Sequence, residues 1–260
     1  MKKDQFIVLC ADNTADAECL LPHARRLAEC FHKGIILFTC AADGDQWVAS
    51  FGVPFAALKT DWPSAVEAMP VAFNVVLAIA LADPHAPRTS ISRPRNLLKA
   101  FRQSKVAYIA FPRHASLTDN PFPVALTLDH RRESKEKVLW ASFFKRFCHS
   151  DIHLYYYPYT DPALRQRLNN NIRYLDKIFS SFSLTFIQHP LESGSQYSNP
   201  DLRAIKQQDG HLFIALVPDD RDRDLLDLLS PPLSLRLLRI AADKPILFLN
   251  QRDDLYVLCD

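Results

Sequence analysis

Glycine is scarce in this chain: five residues in 260, against eighteen prolines. Loops that cradle phosphate rely on glycine, because only a residue without Cβ lets backbone N–H groups close on the anion. A glycine-rich nucleotide loop is therefore under suspicion from the start. No CxxC pair occurs, and the six cysteines are scattered at 10, 19, 30, 40, 148 and 259. A chain of this length needs no disulfide framework, so these read as reduced thiols of a cytosolic protein. No apolar run approaches the roughly 18 residues of a membrane span. The opening "MKKDQFIVLCAD" reaches Asp12 too soon for a secretory signal. Neither sign of charge dominates: the net charge is +2, which argues neither for nor against nucleic acid. No G-x-S-x-G, Walker A, HExxH or paired-carboxylate signature is present.

What is present is a repeat. "FIVLCAD" (6–12) and "PVALTLD" (123–129) are short apolar runs that each end in Asp. Each leads into a helical pattern, with Leu20, Ala24, Leu27, Ala28 and Phe31 in the first copy and Trp140, Phe143, Phe144 and Phe147 in the second. Strand-like "GIILFTC" and "DIHLYYY" follow. Then "NVVLAIALAD" (74–83) answers "HLFIALVPDD" (211–220), and "LLKAFRQSKVAYIA" (97–110) answers "LLRIAADKPILFLN" (237–250). Between the second and fourth strands the second copy carries a stretch the first lacks. Asp161 can cap a helix there with Pro162 at its first position, and Leu164, Leu168, Ile172, Leu175, Phe179 and Phe182 follow at helical spacing. The first copy offers only "GDQWVASF", two turns at most. Third strands are "PFAALK" and "LTFIQH".

Strands that are apolar almost throughout, each followed by a helix, predict parallel sheets covered on both faces. Right-handed crossovers make them open and doubly wound. The expectation is an α/β protein with two five-stranded sheets. The domains are placed at 1–113 and 120–260, and the polar "PRHASLTDNP" (112–121) is the linker.

On these features the chain resembles a tandem universal stress protein. The features are a first strand ending in Asp, a long first helix, a fourth strand followed by a loop, and the "LL…strand" ending. The resemblance implies an adenine-nucleotide alpha-hydrolase-like fold with strand order 3-2-1-4-5. Many members hold ATP through G-x2-G-x9-G-(S/T) after the fourth strand, with the first-strand Asp near the adenosine; others lack the pattern and bind no nucleotide. The loops here are "ADPHAPRTSISRPRN" and "PDDRDRDLLDLLSPPLS", and neither contains glycine. The second also sets Asp219, Asp220, Asp222 and Asp224 where phosphate would lie, and Coulomb repulsion opposes it. In the first loop Arg88, Thr89, Ser90, Ser92, Arg93 and Arg95 could hold an anion together with Asp12, since arginine forks and hydroxyls need no glycine. The competing reading is a solvated loop in which Ser92 caps the helix starting near Pro94. Asp12 and Asp129 face the same choice: a ligand contact, or a turn or cap before the first helix.

The other candidates are weaker. His149 and His153 are four apart, but Ser150 and Asp151 separate a helix from a strand, so no metal site is expected. Cys30 with His32 and Cys148 with His149 recur at the helix ends without a third partner. "LYYYPY" (154–159) reads as a strand edge packed on the long second-copy helix, and "HRRESKEK" (130–137) as a solvated helix face. The sum is a non-catalytic, cytoplasmic, universal-stress-like binding or interaction module without cofactor, nucleic acid or membrane. The alternative is a nucleotide- or anion-binding regulator that uses the first copy alone. Its partners would be an unidentified protein and its own second copy, as an internal pseudo-dimer through the apolar last strands. A homodimer through "DLYVLCD" is compatible with this.

Overall fold

The computed structural model describes residues 5–44, 46, 49–58, 60–102, 104, 106–115, 122–191, 199–207, 212–217, 231–241 and 243–250. The chain divides into two compact units, Met1–Ser116 and Leu117–Asp260.

In the first unit, β1 (Phe6–Cys10), β2 (Gly34–Thr39), β3 (Phe55–Ala57), β4 (Val75–Leu81) and β5 (Ala107–Phe111) lie in the order β3-β2-β1-β4-β5. All the pairings are parallel, with Ile7 level with Ile35 on one side and Leu77 on the other. Residues 7–10 and 77–81 are buried, so the central strands carry apolar side chains toward both faces. The first helix, α1 (Thr14–Phe31), buries Ala17, Leu20, Leu21, Ala24, Leu27, Ala28 and Phe31. That is the stripe seen in the sequence. Its cap is Asn13, whose Oδ1 accepts from Asp16 N at 2.9 Å. Helices α2 (Trp62–Ala72) and α3 (Pro94–Phe101) precede β4 and β5. Within "GDQWVASF", a 3-10 turn spans Ala49–Phe51.

In the second unit, β6 (Val124–Leu128), β7 (Ile152–Tyr156), β8 (Ile187–Pro190), β9 (Leu212–Val217) and β10 (Ile246–Asn250) repeat the order as β10-β9-β6-β7-β8, again parallel. Its helices are α4 (Lys135–Cys148), α5 (Pro162–Ser181), α6 (Pro200–Gln207) and α7 (Leu233–Ala241). The long α5 begins as its sequence dictates: Asp161 Oδ1 accepts from Leu164 N at 2.8 Å, and Pro162 occupies the first turn. Leu168, Leu175 and Phe179 are buried along it, whereas Phe182 is exposed.

Several expectations are corrected. The "LYYYPY" strand is no edge: β7 lies between β6 and β8. The 130–137 run is not a solvated face, since Ser134, Glu136 and Lys137 are buried. The segment read as a polar linker from residue 112 is not free at its start: Arg113 is ion-paired and Ala115 buried. The histidines that recur at the ends of the first helices also acquire a reason. His32 and His149 are the residues in left-handed conformation that close α1 and α4, with φ of 54° and 55°. Glycine usually takes that place, and histidine is among the side chains that tolerate it.

Candidate functional site

The crevice of the first unit opens at the carboxyl ends of β1 and β4, where the strand order reverses and ligands bind in sheets of this kind. Asp12 follows β1, and the loop after β4 folds back upon it. Asp12 Oδ1 accepts from the Trp62 indole Nε1 at 2.7 Å. Asp12 Oδ2 accepts from Ser90 Oγ at 2.5 Å and from Ile91 N at 2.7 Å. One carboxylate thus joins the end of β1, the start of α2 and the β4–α3 loop.

Asp16, one turn into α1, is buried beside it. Its Oδ2 accepts from Ser92 Oγ at 2.8 Å and its Oδ1 from Arg113 Nη2 at 2.7 Å. Arg113 Nε also donates to Asp83 Oδ2 at 3.0 Å, so one guanidinium bridges two carboxylates. Burial opposes ionisation of Asp83. The His85 N–H and Arg113 outweigh it and hold the carboxyl below its ordinary range. Between these groups lies a cavity of about 390 Å³, lined by Asp12, Asp16, Asp83, His85, Ser90, Arg113 and their neighbours. Three carboxylates and one guanidinium line a space that would have to accept phosphate, and the balance opposes an anion.

The seven sequence candidates divide accordingly, and Thr89 lines the cavity. Asp12 and Ser90 meet. Ser92 is buried but turned to Asp16. The helix-capping reading of Ser92 is thereby overturned: Arg93 is the cap residue of α3, and its side chain makes no capping bond. Asp12 likewise does not cap α1, because Asn13 does. Arg88, Arg93 and Arg95 do not line the cavity. Arg88 gives its carbonyl to Asn96 Nδ2, Arg93 Nη1 donates to the Ala86 carbonyl at 3.2 Å, and Arg95 is exposed. Trp62, Asp16, Asp83 and Arg113 were missed. Asp83 alone carried a signal, ending the fourth strand as Asp12 ends the first. Nearby thiols are unsuited to nucleophilic work: burial, with Asp12 and Asp61 adding, pushes Cys40 up to about 12, and burial raises Cys10 well above its ordinary value.

In the second unit the matching aspartate, Asp129, belongs to a turn. Its Oδ1 accepts from Arg131 N at 3.0 Å and from the Ser134 hydroxyl, and its Oδ2 from Arg131 Nε at 2.6 Å. Burial alone would raise its proton affinity, but Arg131 and Lys137 prevail and hold it low. Asn171 of α5 donates to the carbonyls of both Asp129 and Arg131 at 2.8 Å. Behind this turn lies a buried ion pair. Lys137 Nζ donates to Asp201 Oδ1 at 2.9 Å and to Thr127 Oγ1 at 2.8 Å, and Thr127 also bonds Asp201. Tyr159, whose hydroxyl lies 3.1 Å from His130 Nδ1, is pushed up to about 12, by burial first and then by Asp129. The acidic run Asp219, Asp220, Asp222 and Asp224 and the terminal "DLYVLCD" lie outside the described residues. Among the described residues, no group of three or more His, Cys, Asp or Glu could hold a metal ion, and no helix is long and apolar enough to cross a membrane.

No family model and no curated protein sequence matches the chain. Solved structures do. A universal stress protein from Archaeoglobus fulgidus DSM 4304 superposes with a TM-score of 0.63 at 12% identity, covering 96% of this chain and 97% of its own. A putative universal stress protein from Pseudomonas aeruginosa UCBPP-PA14 superposes with a TM-score of 0.57 at 10% identity, covering 97% and 95%. Over nearly its whole length, the chain has the fold of universal stress proteins.

Proposed function

We propose that this chain is a universal-stress-like tandem module of the cytoplasm that works by non-catalytic interaction in a stress response and no longer takes ATP. The supporting observation is the state of Asp12. Trp62, Ser90 and Ile91 already occupy both of its oxygens. A hydrogen bond to a charged group contributes about 1.5–3 kcal/mol. A nucleoside that displaced two of these bonds without replacing them would lose roughly two to four orders of magnitude in affinity. The β4–α3 loop has no glycine to offer phosphate in compensation.

Calorimetry with ATP, and with pyrophosphate for the exposed Arg88 and Arg95, tests this. No heat of binding is expected at micromolar concentrations of either ligand. A micromolar dissociation constant for ATP would refute the reading. Association through apolar last strands is part of the same proposal. It is tested by oxidative crosslinking of Ile109→Cys with Leu247→Cys in a background without native thiols. Bridges within one chain are expected, and bridges only between chains would count against internal pairing.

A further inference from the structure

Away from both crevices, one pair of side chains on the outer strand of the second unit is built to respond to protons. The strand β8 ends the order of that unit and pairs with β7 over four residues, His153 to Tyr156 against Ile187 to Pro190. Little apolar burial holds it, and Ile187 is 50% exposed. Two contacts of His189 supplement the ladder. Its ring stacks on Tyr155, with centroids 4.7 Å apart and planes 18° apart. Its Nε2 lies 3.0 Å from His153 Nδ1. The two imidazole centroids are 5.2 Å apart and the planes differ by 8°. That centroid distance is the N···N separation plus the two ring radii, so the rings meet end to end in one plane.

An N–H···N bond requires one nitrogen with a proton and one without. The neutral pair satisfies this. A pair with one added proton does so more strongly, because a charged donor faces a neutral acceptor. With both rings protonated, two N–H groups and two positive charges face each other, and the bond becomes a repulsion.

Among the described residues, the charged groups near the pair are largely engaged elsewhere. β6 brings no ionisable side chain against β7. α6 brings Asp201, Arg203 and Lys206, of which Asp201 is held by Lys137 and Arg203 lies over the Tyr157 ring. Asp151, at the start of β7, is exposed and shared with Lys145 at 3.3 Å. Burial, followed by His189, lowers the proton affinity of His153, and Asp151 only partly opposes this. A histidine depressed in the folded state contributes stability above its unfolded value near 6.5 and loses it as pH falls through the folded value.

We propose that His153 and His189 form a proton-operated latch: it holds β8 on β7 while the pair carries at most one added proton, and it releases the strand when both rings are protonated. Release would bare the outer N–H and C=O groups of β7, the kind of edge that recruits another strand.

Amide hydrogen exchange on the full chain, corrected for intrinsic rates, tests the latch. Between pH 7.5 and pH 5, opening of residues 187–189 is expected to increase roughly tenfold while β1 stays constant. His189→Phe keeps the stack on Tyr155 and removes the proton site. His153→Gln keeps a hydrogen-bonding partner without a second charge. In both variants the opening of β8 is expected to be independent of pH over that range. Equal protection of 187–189 in the wild type at both pH values would overturn the proposal, as would a pH-dependent loss that persists in both variants.

Discussion

The two units secure the same corner of the fold by different chemistry. In each, the helix before the fourth strand begins beside the end of the first strand and must be tied to it. The first unit does this with Asp12, which accepts the indole of Trp62 at the start of α2. The second has Asp201 at the start of α6, and the tie is Thr127 of β6 together with Lys137 of α4. Lys137 occupies the place that Leu20 holds in the first repeat, and both are fully buried. A helix position that packs on a sheet thus accepts a cation where an acid arrives to meet it. The first unit puts its charge at the mouth of a cavity. The second buries its charge behind a turn.

Breaking the buried pair should give the largest effect. Lys137→Met leaves Asp201 charged and without its lysine, and a loss of about 3–5 kcal/mol is expected in urea denaturation. Lys137→Leu combined with Asp201→Asn, which removes both charges, should recover much of that loss. If the double variant is as unstable as the single, the unpaired charge is not the cause of the loss.

Next in size is Asp12→Ala, which strands the indole N–H of Trp62, the Ser90 hydroxyl and the Ile91 N–H. A loss of about 2–3 kcal/mol is expected, with a change in Trp62 fluorescence. Asp12→Asn keeps an acceptor and should lose less. A stability unchanged by Asp12→Ala would show that the loop stands without this carboxylate.

Acid should sharpen the contrast further. Asp129 is held below its ordinary range, so its contribution is complete above the unfolded value near 4 and disappears as pH falls through the lower folded value. Melting temperatures between pH 5 and pH 3 should fall less steeply in Asp129→Asn than in the wild type. Parallel slopes would remove Asp129 from the account.

The smallest effect is expected at the helix ends. His32→Gly relieves a left-handed side chain and should add up to about 1 kcal/mol, read as a higher urea midpoint. His149→Gly should act alike, since φ is nearly the same at both positions. A gain at one and a loss at the other would show that one histidine does more than close a helix.

Much of the scaffold was legible because it rests on local pattern. The buried strands announced themselves as apolar runs, and α5 as an Asp-Pro start followed by a stripe. The site was less legible because its bonds are long in sequence: Trp62 reaches Asp12 across 50 residues and Arg113 reaches Asp16 across 97. Position alone made Asp12 a candidate cap, yet its neighbour Asn13 took that role and left Asp12 free to bind the loop. Ser92 looked like a cap for the same reason, and Asp16 claimed it. The run from 130 to 137 looked solvated because nothing local reveals that Asp201 returns to meet Lys137.

The three bonds on Asp12 also bear on how the first unit moves. Residues 90 and 91, the start of α2 and the end of β1 share one acceptor group, so none can leave without disturbing the others. The β4–α3 loop is then no independently fluctuating flap. It should open together with the amino-terminal turn of α2, as one cooperative exchange unit whose opening free energy approaches that of the central strands.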